Sequence, residues 1–157
     1  MLENRRSDQQ LRRLPFASPA MHIACTHCGS TNRVPDERLR EDPVCGKCGQ
    51  ALLDGHPAVL TDANFDAVTS RTELPVVVDF WAPWCGPCRM MAPAFEQASA
   101  QLKGRALLVK VNSDDNPKTA ARFAIRSIPT MVMLRGGVEV KRISGALPVG
   151  QIVAFAG

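Results

Sequence analysis

Six cysteines fall into three Cys-x-x-Cys pairs: Cys25/Cys28, Cys45/Cys48 and Cys85/Cys88. In a chain of 157 residues six thiols could close three structural disulfides. Cysteines three positions apart, however, are spaced for a shared metal ion or for a bond that is made and broken. The first two pairs are separated by sixteen residues, inside the window of a four-cysteine zinc ribbon. Gly29 and Gly49 follow these pairs, where a tight turn lets backbone N–H groups point at the sulfurs. Four thiolates suit tetrahedral zinc and leave no open position for catalysis. One structural Zn2+ on Cys25, Cys28, Cys45 and Cys48 is therefore expected, with two further redox pairs as the competing reading. His22 and His27 are read as bystanders.

The third pair sits in a different setting. The apolar run Val76 to Trp81 reads as a central strand buried on both sides. After it, Cys88, Met91, Ala92, Phe95, Ala98 and Leu102 recur at steps of three and four, giving one apolar stripe on a helix that starts near Cys85. Cys85 then lies at a helix N-terminus, where unpaired N–H groups and the positive end of the dipole favour a thiolate, the nucleophilic form. Cys88, one turn further on and expected to be more buried, is placed to attack a mixed disulfide formed at Cys85. The loop closed by a Cys85–Cys88 bond is tiny, so the bond adds little stability and suits being broken and remade. Asp79 stands within the apolar strand, where burial is costly and should raise its pKa.

The elements that must hold these groups divide the chain into three segments. Residues 1–20 are polar and basic and read as a flexible tail, with Met21 as the expected start. Residues 21–55 are rich in Gly, Pro and charge and hold too few large apolar side chains for a core of their own. Residues 56–157 alternate short apolar runs with helical patterns, the signature of an α/β domain on a partly parallel sheet. Within it, Thr61 is expected to cap a helix whose Phe65 and Val68 share a face, and Pro93 to kink the cysteine-bearing helix. A strand follows at Leu107 to Val111, then a helix after Pro117, two strands joined by Arg135-Gly136-Gly137-Val138, and a short helix after Pro148. Met90 and Met91 are read as helix packing.

The stretch Val78-Asp79-Phe80-Trp81-Ala82-Pro83-Trp84-Cys85-Gly86-Pro87-Cys88 resembles the active-site signature of the thioredoxin family. With the N-terminal cysteine module, the chain resembles the zinc-carrying, bacterial thioredoxin-2 branch over residues 21–157. The resemblance implies a thioredoxin fold, a central mixed sheet flanked by helices, with a small N-terminal zinc ribbon. It implies a protein-disulfide reductase cycling Cys85 (nucleophile) and Cys88 (resolving thiol) between dithiol and disulfide; the lowered pKa of the nucleophile is carried over from that family. Asp79 matches the family's general base for the resolving cysteine, and Lys110 the lysine that tunes it. Ile128-Pro129-Thr130 resembles the cis-proline loop that faces the cysteines. Trp84, Gly86, Pro87, Ile128, Pro129, Gly145 and Ala146 then form a flat, apolar docking surface, with Trp81 supporting the active-site loop. The implied partners are an NADPH-dependent thioredoxin reductase and oxidised client proteins. The helix after Pro148 is several residues shorter than the family's.

Composition sets the remaining limits. No apolar run approaches the roughly 18 residues of a membrane span, and none near the N-terminus forms a signal-peptide core. A cytoplasmic monomer is expected. A net charge of +4 is modest for a nucleic-acid binder. Over residues 21–55, Arg33, Arg38, Arg40 and Lys47 face Asp36, Glu37, Glu41, Asp42 and Asp54, so phosphate is repelled. Two other readings stay open: a thiol oxidase or isomerase, whose relatives carry a His between the cysteines, and a zinc-dependent binding or chaperone module.

Overall fold

The computed structural model describes residues 19–157; all but the last two positions of the expected tail lie outside the described residues. Among the described residues two sheets are formed. A two-stranded antiparallel sheet pairs β1 (Ala20–Ala24) with β2 (Thr31–Pro35), which bracket the first cysteine pair. The second sheet holds five strands in the order β3-β5-β4-β6-β7: β3 (Ala58–Val59), β4 (Val76–Trp81), β5 (Leu107–Asn112), β6 (Thr130–Arg135) and β7 (Val138–Ser144). β4 runs parallel to β5 and antiparallel to β6, so the sheet is mixed, as expected. The helices are α1 (Phe65–Arg71), α2 (Gly86–Gln101), α3 (Pro117–Arg122) and α4 (Val149–Ala156). Among the described residues, no helix is long and apolar enough to cross a membrane.

β4 is central because its sequence can be buried on both faces. Val76, Val77, Val78 and Phe80 have no exposed surface, and alternate residues feed two cores. Val76, Val78 and Phe80 pack with Phe65 and Val68 of α1 and with Phe123 at the end of α3. Val77 packs with Met91, Phe95, Ala98 and Leu102 on the apolar stripe of α2 and with Ile152 of α4. Pro117 opens α3, where its missing N–H has no helical partner to lose.

Two local expectations are corrected. Thr61 does not cap α1. The Asn64 side chain accepts hydrogen bonds from the Thr61 N–H at 2.8 Å and hydroxyl at 3.3 Å, closing a turn that delays the helix to Phe65. Met90 is 78% exposed, whereas Met91 is buried, because only the latter falls on the stripe.

The cysteine-rich segment does not stand alone. Ile23, Val34, Leu39, Leu52 and Leu53 belong to the same core as Phe65 and Val68. Hydrogen bonds seal the seam: the Ala24 N–H donates to Thr72 Oγ1 at 3.2 Å, and the Glu73 N–H to the His22 carbonyl at 2.9 Å. His22, read as a bystander, also pairs with the Glu73 carboxylate. Gly104, in the turn after α2, has φ +79°, and a Cβ there would lie 2.7 Å from Arg40 Cγ and 3.2 Å from the Leu39 carbonyl. Gly104→Ala is expected to cost about 1–2 kcal/mol of stability through the left-handed backbone, plus the displaced contact. A lower urea midpoint with an unchanged slope checks this.

Candidate functional site

The C-terminal end of β4 delivers Trp81 and the loop to Cys85, and Cys85 is the N-cap of α2. Its sulfur accepts the Cys88 N–H at 3.2 Å, so one of the helix's unpaired donors points at it. Cys85 and Cys88 are disulfide-bonded, with Cα atoms 5.2 Å apart. Their residue exposures are 4% and 3%. The difference expected between them is therefore not one of overall burial in the oxidised form; it lies in helix position, since only Cys85 is the cap. Ala82, Trp81 and Ile128 pack around the pair. The Ile128-Pro129 peptide bond is cis, and the Ile128 carbonyl oxygen lies 3.7 Å from the Cys85 sulfur.

The residues of the expected docking surface have different exposures. Trp84 is 69% exposed, and Pro87, Gly145 and Ala146 are exposed. Gly86 and Ile128 are half-buried, and Pro129 is buried. The Gly145 N–H donates to the Pro129 carbonyl at 2.9 Å, tying the start of the last loop to the cis-proline. Sequence reasoning missed Asp114, whose Oδ2 accepts the Trp84 indole N–H at 2.8 Å. The available signal was topological: Asp114 follows β5, whose C-terminal end lies beside that of the parallel β4, where α/β sheets gather their sites.

Asp79 is 1% exposed, and its Oδ1 is buried with no hydrogen-bond partner. Burial pushes its carboxyl up to about 7, against the pull of the Lys110 charge. Lys110 is its register partner on β5, yet the two form no ion pair. The Lys110 ammonium lies instead 4.7 Å from the centroid of the Trp81 ring.

The other four cysteines form a second site. Their sulfurs all lie within 4.8 Å of one another, with Cys25–Cys48 and Cys28–Cys45 at 3.6 Å. Sulfurs at the corners of a tetrahedron with metal–sulfur bonds of about 2.3 Å would stand about 3.8 Å apart, so the cluster matches the size of a zinc tetrathiolate. The two knuckles repeat one geometry. The Gly29 and Gly49 N–H groups each donate to the carbonyl of the first cysteine of their pair at 2.9 Å, with φ of 80° and 77°. The His27 and Lys47 N–H groups each reach that cysteine's sulfur at 3.4 Å. Asn32 Nδ2 adds a donor to Cys45 at 3.5 Å. Donation by the backbone of Cys48 and Lys47 lowers the Cys45 thiol to about 6. The Gln50 N–H pulls the Cys48 thiol down, but burial and three neighbouring thiols outweigh it and push that thiol up to about 12. Four thiolates this close together repel one another, and a cation held between them would offset that repulsion.

Comparison with known proteins bears on both sites. The thioredoxin family model matches residues 56–157, and a second, described as Thioredoxin 2, N-terminal, matches residues 24–50. The chain belongs to the thioredoxin family. It is 48% identical over 127 residues to thioredoxin C-3 of Corynebacterium nephridii, spanning 81% of this chain and 87% of that one. It is 51% identical over 89 residues to a Synechocystis thioredoxin, spanning 57% and 83%. Among solved structures it resembles a single-substitution mutant of a thioredoxin from Halobacterium salinarum, with TM-score 0.59 and 29% identity over 65% of this chain and 88% of the other. This thioredoxin is a protein-disulfide oxidoreductase whose redox pair is Cys85–Cys88. Thioredoxins are in general reduced by thioredoxin reductase and act on client proteins.

The raised pKa of Asp79 sets a pH dependence of stability. An unfolded aspartate titrates near 3.9, so between about 4 and about 7 the folded state binds more protons than the unfolded one. Stability therefore falls as pH rises through that window and levels off above it. Asp79→Asn removes this loss. The variant is expected to gain on the wild type steadily from pH 4 to 7, by roughly 4 kcal/mol at most at the plateau. Urea unfolding at several pH values checks this; a difference that does not change with pH contradicts it.

Proposed function

We propose that this thioredoxin works as a reductase in which Cys85 attacks and Cys88 resolves. The observation that carries the assignment is the hydrogen bond from the Cys88 N–H to the Cys85 sulfur at the N-terminus of α2. It favours negative charge on Cys85 in the reduced form. The Cys85 thiolate attacks one sulfur of a client disulfide, giving a mixed disulfide and a client thiolate. Asp79 accepts the Cys88 proton, and the Cys88 thiolate attacks the Cys85 sulfur, expelling the second client thiolate. The client gains two electrons and two protons, and the Cys85–Cys88 disulfide is left for reduction by an NADPH-dependent thioredoxin reductase. Lys110 tunes Asp79 by its charge.

Trp84, Gly86, Pro87, Ile128, Gly145 and Ala146 form the docking surface, with Pro129 beneath it shaping the loop. The surface carries no formal charge, which suits a carrier with many clients. Residues 56–157 make up the redox domain, and residues 21–55 a module in which Cys25, Cys28, Cys45 and Cys48 hold one zinc ion. The size of the cluster and its backbone donors support that donor set. Bound zinc would neutralise the thiolates and tie the two knuckles together, a structural role with no part in the exchange. The protein acts as a cytoplasmic monomer, since a reducing compartment suits a dithiol carrier and a zinc-holding thiolate set, with no role for nucleic acid or membrane.

Insulin reduction coupled to NADPH and thioredoxin reductase tests the assignment. Cys85→Ser is expected to abolish turnover. Cys25→Ser/Cys28→Ser is expected to keep at least a tenth of it while losing the one zinc per chain expected in the wild type. It should also melt several degrees lower, because the module shares its core with α1. An inactive wild type would favour a binding module, and a zinc-free wild type would remove the metal assignment.

A further inference from the structure

Three side chains share the α2-facing side of the sheet: Asp79 and Trp81, two positions apart on β4, and Lys110 on β5. In this register Lys110 stands directly opposite Asp79, where an ammonium group would normally close onto a carboxylate. It does not. No ion pair joins them, Asp79 Oδ1 has no hydrogen-bond partner, and the Lys110 ammonium rests 4.7 Å from the Trp81 ring centroid. The other neighbours of Asp79 offer no alternative cation. β6 places Met131 opposite it. α2, which covers this face with Met91 and Phe95, brings Cys88, held in the disulfide. Lys110 is the charge that acts on Asp79, and the indole ring holds that charge.

We propose that Trp81 is a positioning residue for the redox cycle: by holding the Lys110 ammonium against its face, it keeps Asp79 a free proton acceptor instead of one half of an ion pair. The inference rests on the reading of Asp79 as general base. A carboxylate hydrogen-bonded to an ammonium is stabilised in its charged form and takes up a proton less readily. A buried carboxylate with no cation in reach would be too costly to ionise at all. The electron-rich face of an indole attracts an ammonium without presenting it to the carboxylate, which leaves Asp79 between these extremes. Trp81 also packs on Cys85 and Cys88, so the ring that sets the base lies against the thiols the base serves.

The test is a double-mutant cycle read on Asp79 itself. The side-chain carboxyl is titrated by carbon NMR in the oxidised protein, where Cys85 and Cys88 carry no titrating thiols. Wild type, Trp81→Leu and Trp81→Phe are compared, each also carrying Lys110→Met. Trp81→Leu is expected to lower the Asp79 midpoint by about one pH unit, the scale of a partly desolvated cation–π contact, and Trp81→Phe by less. With Lys110→Met present, neither ring change is expected to move the midpoint further. An unmoved midpoint in the Lys110-containing ring variants overturns the proposal. So does an equal shift in the Lys110→Met background, which would mean that the ring acts by excluding water. If Trp81→Leu fails to fold, the Trp81→Phe cycle reads the same coupling. Insulin-reduction pH profiles of the same variants separate this inference from the reading beneath it. A midpoint that moves while the acid limb of the profile stays put leaves Trp81 in its role and removes Asp79 as the base.

Discussion

A carboxyl group in the middle of the central strand is the constraint on which the rest of the redox domain depends. β4 has to be apolar on both faces, because two helical layers pack against it and its end must hold the N-terminus of α2 in place. Asp79 interrupts that strand at a position with almost no exposure. Burial brings its protonation into the neutral range, where a carboxyl group can both take up and release a proton near neutral pH. The same burial lowers stability once the group ionises. The domain gives up free energy at this one polar position of an otherwise apolar strand.

The cysteine module follows a different logic. About thirty-five residues cannot bury enough apolar surface to fold alone. Its five large buried side chains join the α1 side of the redox domain and make no separate core. Its four sulfurs are arranged by backbone N–H groups in two matching turns. The module thus pairs its cluster of four sulfurs with an apolar support that runs into the sheet that carries Asp79.

What was legible in the sequence followed from strong local patterns. Val76 to Trp81 could be read because a β-branched run buried on both sides has few other uses, and the α2 stripe because its period is sustained over four turns. Both pairs of knuckle cysteines were legible from spacing alone. What was missed depended on long-range pairing or on competition between local rules. β1 alternates Ala, Met and His with only Ile23 and Ala24 buried, which carries no clear period. β3 is two residues long and is defined by a partner strand about fifty positions away. Thr61 fits the rule for a helix cap, but Asn64 takes up its N–H and hydroxyl. Asp114 could be linked to Trp84 only once β5 was known to end beside β4.

The two edges of the five-stranded sheet differ from its centre. One edge is β3, of two residues, too short to template another chain. The other is β7, which is seven residues long and carries the exposed side chains Val138 and Val140, but Lys141 and Arg142 follow at once. Charges on a strand rim oppose the addition of a further strand, which must desolvate them. A protein that acts on other protein chains meets strand-forming peptide. With both rims blunted, such peptide is steered away from open-ended stacking along the sheet, and the protein can stay dispersed among the chains it reduces.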